Sequence, residues 1–108
     1  MKEITTTQFD SEVLQSQVPV LVDFYTEGCG PCRMMSPILT DIEQECAGAF
    51  KIVKFDAAAD GQLSVSFNVS AVPTFVLFRR GERIDQITGA RSKKAMLQWV
   101  TESLKVEG

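Results

Sequence analysis

The feature that most constrains the fold is an apolar run from Val20 to Tyr25, which one charged residue, Asp23, interrupts. Alternate side chains of a β-strand point to opposite faces of its sheet, so a run that is apolar at successive positions buries both faces. Such a strand lies in the middle of a sheet that is covered on both sides. The run therefore predicts a central strand.

β-favouring and helical patterns alternate along the rest of the chain. Strands are predicted at residues 4–6, 20–25, 50–55, 74–78 and 83–88. Helices are predicted from a cap at Thr7 to a stop at Pro19, at 31–47, at 60–67, and from a cap at Ser92 onwards. The order βαβαβαββα indicates an α/β fold, with about four helices flanking a mixed five-stranded sheet whose core is parallel and whose closing hairpin is antiparallel.

Length and composition limit the class of protein. A chain of 108 residues is large enough for one domain, which we expect to span residues 1–108. The net charge of −3 and the absence of blocks of like charge argue against nucleic-acid or membrane partners. The N-terminal residues lack the pattern of a signal peptide, and three cysteines do not make a secreted disulfide framework. We therefore expect a cytoplasmic protein.

The sequence Cys29-Gly30-Pro31-Cys32 follows the central strand directly. Two cysteines with this spacing can close a disulfide or supply half of a metal site. Zinc needs four ligands, and the chain has no histidine and one further cysteine, Cys46, so we expect no metal. Pro31 suits the first position of a helix, which would place Cys29 at the helix N-terminus and Cys32 one turn further in. Because the helix dipole favours an anionic sulfur, the pattern predicts a dithiol that attacks disulfides, with Cys29 as nucleophile and Cys32 as resolving thiol.

Asp23 and Lys54 are charged residues inside apolar strands. Asp23 either faces water at the strand end or is buried with a raised pKa, in which case it could accept the proton of Cys32 through a water molecule. Lys54 either extends outward to water or lies beside Asp23. Cys46 continues the apolar face of its helix and is expected to be an inert, buried thiol, with a regulatory thiol as the alternative.

Several of these features occur together in one known family. The chain resembles the thioredoxins over essentially all 108 residues in Cys29-Gly30-Pro31-Cys32, Asp23 six residues earlier, Lys54, Val72-Pro73-Thr74 and Gly89-Ala90. The resemblance implies the thioredoxin fold and the activity of a protein-disulfide reductase. It also implies that the Lys54 ammonium stabilises ionised Asp23, and that Pro73 is a cis-proline. By the same resemblance, substrate backbone docks on a rim formed by Gly30, Pro31, Val72, Pro73, Gly89 and Ala90.

The resemblance also implies partners for the chain. The electron donor would be a flavin-dependent thioredoxin reductase and the substrates oxidised protein disulfides, acted on by a monomer without a bound cofactor. Two alternatives remain, a disulfide oxidase or isomerase and a non-catalytic binding module. The chain departs from the family at Tyr25 and Gly28, where thioredoxins usually have tryptophan. Glycine beside Cys29 leaves a bare backbone, which we expect to be mobile and to alter partner choice.

Overall fold

The computed structural model describes residues 1–105 and contains one mixed sheet. Its strands are β1 (Lys2–Glu3), β2 (Val20–Tyr25), β3 (Lys51–Asp56), β4 (Thr74–Arg79) and β5 (Glu82–Thr88). They lie in the order β1-β3-β2-β4-β5, with β1, β3 and β2 parallel and with β4 antiparallel to both β2 and β5. The predicted α/β class, the five strands and the central position of residues 20–25 are confirmed. The predicted domain ran to residue 108, and residues 106–108 lie outside the described residues.

Helices cover both faces of the sheet. They are α1 (Thr6–Phe9), which continues into a π-helical segment (Asp10–Leu14), α2 (Gly30–Glu45), α3 (Gly61–Ser66) and α4 (Lys93–Lys105). The Asp60 side chain caps α3 by accepting the Leu63 amide at 3.0 Å, and Ser92 accepts the Ala95 amide at 3.1 Å at the start of α4. Within residues 1–105, no helix has both the length and the apolar character needed to cross a membrane.

The N-terminal boundaries differ from the prediction. The first strand comprises Lys2–Glu3 rather than residues 4–6, and the cap of the first helix is Thr5 rather than Thr7. The Gln8 side chain accepts the Thr5 amide at 2.9 Å, while the Gln8 amide donates to the Thr5 carbonyl at 3.0 Å. This capping arrangement directs the Thr5 backbone into the helix and ends its pairing with β3. The first helical segment also ends earlier than predicted, at Leu14 rather than near Pro19, because the backbone leaves the helical conformation at Gln15. The remaining elements agree with the prediction to within one or two residues.

The two faces of β2 belong to two separate apolar clusters. Val20, Val22 and Phe24 pack with α1 and the π-helical segment, through residues such as Phe9. Leu21 packs on the opposite side, with the buried faces of α2 and α4. Asp23 is two residues beyond Leu21 in the same strand, so its side chain points to the same face of the sheet, which α2 covers.

The hairpin between β4 and β5 has a two-residue turn, Arg80-Gly81, in which both φ angles are positive, at 53° and 80°. Positive φ at both positions is typical of the type I′ turn, whose twist matches that of the flanking strands. A Cβ atom on Gly81 would lie 2.9 Å from the Leu14 carbonyl oxygen. Glycine is therefore required here both by backbone conformation and by contact with the end of the π-helical segment.

Gly81→Ala should lower the free energy of unfolding by at least about 2 kcal/mol, because it adds left-handed backbone strain to overlap with a main-chain oxygen. Urea denaturation of both proteins measures this difference. The matched control is Gly61→Ala at the start of α3, where a Cβ atom would meet nothing within 4 Å. The control should change stability by less than about 0.5 kcal/mol. Equal stability of the two variants would contradict this account of the turn.

Candidate active site

The segments with predicted functions meet at one edge of the sheet. β4 runs antiparallel to β2 and β5, so Thr74 at its start pairs with Phe24 near the end of β2 and with Thr88 at the end of β5. The cysteine loop follows β2, Val72-Pro73 precedes β4, and Gly89-Ala90 follows β5. Strand direction alone therefore brings these three segments to the same edge.

Cys29 and Cys32 form a disulfide with Cα atoms 5.3 Å apart, within the usual range. Cys29 is the N-cap of α2, and its sulfur accepts the Cys32 backbone amide at 3.2 Å. The helix begins at Gly30, so Pro31 occupies its second position rather than the predicted first. Cys32 is buried and Cys29 is partly exposed. The geometry thus places the more accessible sulfur at the positive end of a helix dipole.

The segments before β4 and after β5 are held together by hydrogen bonds. The Val72–Pro73 peptide bond is cis, as the family resemblance implied, and Pro73 is buried. The Gly89 amide donates to the Pro73 carbonyl at 2.8 Å. The Thr74 hydroxyl donates to the Ala71 carbonyl at 2.6 Å. The first contact fixes two parts of the expected docking rim relative to each other, and the second stabilises the turn that leads into β4.

The rest of the expected rim lies at the surface. Pro31 and Ala90 are exposed, whereas Gly30, Val72 and Gly89 are partly exposed. The backbone of these residues is therefore near solvent at the edge where the disulfide lies. Their role in substrate docking is still a prediction.

Asp23 is buried, with 2% of its surface exposed, and its Oδ1 atom has no hydrogen-bond partner within residues 1–105. Burial raises the pKa of this carboxyl to about 7, and the positive charge of Lys54 opposes that effect in part. Of the two interpretations left open by the sequence, burial is the one observed. A carboxyl group with this pKa can both accept and release a proton near neutral pH.

A cleft of about 240 Å³ connects Asp23 with the inner cysteine. Its walls are formed by Asp23, Tyr25, Thr26, Glu27, Gly28, Cys32, Arg33, Ser36 and Lys54. The cleft is large enough to hold water molecules. Ser36 follows Cys32 by one helical turn, and that spacing could have identified it from the sequence. Thr26, Glu27 and Arg33 carried no comparable signal.

Lys54 lies opposite Asp23 in the parallel pairing of β3 with β2. Its Nζ atom is 4.2 Å from the centroid of the Tyr25 ring, a cation–π distance. Among the ion pairs within 4.0 Å in the described part of the chain, Asp23 and Lys54 do not form one. Lys54 is therefore a neighbour of Asp23, as one interpretation of the sequence had it, but its ammonium group lies over an aromatic face.

Gly28 has a φ angle of +80°, and a Cβ atom on it would meet nothing within 4 Å. The space beside Cys29 is therefore open, but the backbone conformation is one that favours glycine. A tryptophan at this position would be strained in the present backbone conformation. Cys46 is a free thiol at the C-cap of α2, partly buried against the apolar cluster of that face.

Comparison with known proteins gives one consistent family. A family model described as Thioredoxin matches residues 1–102. A thioredoxin of Rickettsia felis is 37% identical over 101 residues, which are 94% of this chain and 96% of that protein. The chain belongs to the thioredoxin family. Thioredoxin 1 of Nostoc sp. is 36% identical over 102 residues, covering 94% and 95% of the two chains. Thioredoxin Y1, chloroplastic, of Arabidopsis thaliana is 36% identical over 98% of this chain and 62% of its own.

Membership of the thioredoxin family identifies the chemistry. Thioredoxins are protein-disulfide oxidoreductases, and the Cys29–Cys32 pair at bonding distance supports thiol–disulfide exchange in this chain. The family implies disulfide substrates and reduction by a thioredoxin reductase. The fold expected from the resemblance is confirmed. The alternative functions, an oxidase or isomerase and a non-catalytic module, are not favoured.

The buried carboxyl should make stability depend on pH. Between about pH 4, the ordinary pKa of an aspartate, and about pH 7, folded Asp23 keeps a proton that the unfolded chain has lost. The stability due to this proton is present in acid and is lost as the pH rises through that window. Urea denaturation at pH 4.5 and pH 8 should therefore show a loss in wild type that exceeds the loss in Asp23→Asn by on the order of 2–4 kcal/mol.

The control for this measurement is Glu102→Gln, which removes a carboxylate from the exposed face of α4. Its stability should follow the same pH dependence as wild type. If Asp23→Asn also followed wild type, the carboxyl group would not be buried in the way the structure describes.

Proposed function

We propose that this protein reduces protein disulfides with Cys29 as nucleophile, Cys32 as resolving thiol and Asp23 as the base that deprotonates Cys32. The observation that carries the proposal is the shared cleft, which Asp23 and Cys32 both line on the inner side of the disulfide. Position at a helix N-terminus supports the choice of Cys29, since that environment favours the thiolate.

In the first step of the proposed cycle, the Cys29 thiolate attacks one sulfur of a substrate disulfide. A mixed disulfide forms between Cys29 and the substrate, and the other substrate sulfur leaves as a thiolate that takes up a proton. The partial exposure of Cys29 supports this assignment. The positive end of the helix stabilises negative charge on the Cys29 sulfur before attack.

In the second step, Cys32 loses its proton to Asp23 through water in the cleft and attacks the Cys29 sulfur. The Cys29–Cys32 bond forms, the bond to the substrate breaks, and the second substrate thiolate leaves. Two electrons have then passed from the cysteine pair to the substrate. Burial of Cys32 supports the need for a base, because an apolar environment disfavours a free thiolate.

Lys54 and the rim have supporting roles in this proposal. The positive charge of Lys54 opposes the cost of ionising buried Asp23. The exposed backbone of Val72, beside cis-Pro73, would pair with an extended substrate segment in the manner of an added β-strand. The other rim residues, Gly30, Pro31, Gly89 and Ala90, would contact the same segment.

The physiological setting forms a further part of the proposal. A flavin-dependent thioredoxin reductase would return the Cys29–Cys32 disulfide to the dithiol. The protein would act as a monomer in the cytoplasm, with residues 1–108 as its one domain. The chain has three cysteines, and two of them form the Cys29–Cys32 pair, so it lacks the several disulfides typical of small secreted proteins. This composition supports a location in a reducing compartment.

Single cysteine variants test the assignment of the two thiols. Cys29→Ser should abolish reduction of insulin disulfides, because no thiolate remains at the accessible position. Cys32→Ser should also lose turnover but should accumulate a mixed disulfide with the substrate, visible by non-reducing electrophoresis and mass spectrometry. Turnover that persists in Cys29→Ser, or trapping by Cys29→Ser rather than Cys32→Ser, would refute the assignment. Cys46→Ser is the control and should keep the wild-type rate.

Asp23→Asn tests the proposed base. The rate at which Cys32 resolves a preformed mixed disulfide should fall by about 10²-fold at pH 7, the lower end of the range for general-base catalysis. Stopped-flow measurement of substrate-thiol release gives this rate. The control is the first step, measured as mixed-disulfide formation in Cys32→Ser with and without Asp23→Asn, which should change much less. A slowed first step with an unchanged second step would exclude Asp23 as the base for Cys32.

A further inference from the structure

The side chain of Tyr25 lies across Lys54 and reaches β1, the outermost strand on that side of the sheet. In the strand order β1-β3-β2, Glu3 pairs with Lys54 and Lys54 pairs with Asp23, so the three residues form one row. Tyr25 is two residues beyond Asp23 on the same face of β2. Its hydroxyl donates to the Glu3 carboxylate, and its ring lies 4.2 Å from the Lys54 Nζ atom. The tyrosine side chain therefore crosses over β3 and contacts Lys54 on the way.

We propose that Tyr25 is a positioning residue whose ring, anchored at Glu3, holds the Lys54 ammonium group and prevents it from forming a direct ion pair with Asp23. The proposal deepens the proposed function, since it rests on Asp23 being the base of the resolving step. It assigns a role to a position where the family usually has another aromatic residue.

Asp23 and Lys54 do not form a direct ion pair, and this observation needs a physical cause. Asp23 Oδ1 is buried and has no hydrogen-bond partner within the described residues, and Lys54 lines the same cleft from the neighbouring strand. A buried carboxylate gains most from a cation that it contacts directly. The attraction of the ring face for the ammonium group competes with that contact. Lys54 is thus near enough to act through its charge on Asp23 while it remains bound to another group.

The position of Lys54 determines how good a base Asp23 is. An ammonium group in direct contact would lower the pKa of Asp23 and make the carboxylate a weaker base for the Cys32 proton. Burial, followed by the hydrogen bond to Glu3, raises the pKa of Tyr25, so its hydroxyl remains a donor throughout the neutral range. The other charged or titratable groups that face Asp23 or Tyr25 are Cys32 and Arg33 of α2, Glu27 of the loop, Asp56 of β3 and Glu3 of β1.

The test is a carboxyl titration of Asp23 by nuclear magnetic resonance in the oxidised protein. In Tyr25→Leu, which keeps an apolar side chain but removes the ring, the released Lys54 should pair with Asp23 and lower its pKa by about half a unit or more. Tyr25→Phe keeps the ring face and loses the bond to Glu3, so it should show less than half of that decrease. Tyr25→Met is a second ring-free variant, to be used if Tyr25→Leu does not fold.

The matched control repeats the measurement in a Lys54→Met background. Without the ammonium group, Tyr25→Leu should leave the pKa of Asp23 within about 0.2 of the Lys54→Met value, since the ring then has nothing to hold. An unchanged or higher Asp23 pKa in Tyr25→Leu would overturn the proposal. A decrease of equal size in the Lys54→Met background would overturn it too, because the effect would then come from hydration rather than from Lys54.

The titration is read without turnover, so its outcome is separate from that of the proposed function. Asp23 could titrate as expected in every variant while the resolving step proved independent of Asp23. In that case Tyr25 would still position Lys54, and the assignment of the base would be wrong.

Discussion

The burial of the Asp23 carboxyl group is the physical constraint on which the rest of this site depends. Asp23 occupies the central strand, between residues that are fully buried on either side. An ionised carboxylate in that position lacks most of the hydration it has in water, so its proton is bound more tightly than in an exposed aspartate. The fold therefore retains, at neutral pH, a group that can exchange a proton beside a buried thiol. The apolar clusters on the two faces of the sheet supply the stability that offsets this cost.

The topology of the sheet explains why chemistry from distant parts of the chain meets at one edge. A wholly parallel sheet would place the start of β4 at the opposite edge from the end of β2. Because β4 is antiparallel, cis-Pro73 lies instead beside the segment that follows the central strand. The helix that begins at Gly30 then brings its N-terminal amides to the same edge. The position of the two sulfurs is thus a consequence of strand direction and of one helix start.

Much of this arrangement could be predicted from the sequence, since it follows from local patterns. The apolar run predicted the central strand, the spacing of the cysteines and Pro31 predicted a helix with Cys29 at its end, and Asp23 was the evident candidate for a buried acid. The first strand was misplaced because Thr5 caps the first helix. The chain is therefore helical after Thr5, where β propensity alone predicts an extended strand. Positive φ at Gly28 had no signal beyond the identity of the residue.

The contact between Tyr25 and Lys54 could not be predicted for a different reason. It depends on the register of three strands that are far apart in the chain, and a shift of one residue would turn Lys54 to the other face of the sheet. The sequence left open whether Lys54 reaches water or Asp23, and the structure shows a third partner, the ring of Tyr25. The two departures from the family therefore have different consequences. Gly28 is an exposed residue beside Cys29 with open space around it, whereas Tyr25 contacts Lys54 and Glu3; both residues line the cleft that contains Asp23. A change at Gly28 would therefore act first on the backbone next to Cys29, and a change at Tyr25 on the position of the Lys54 charge.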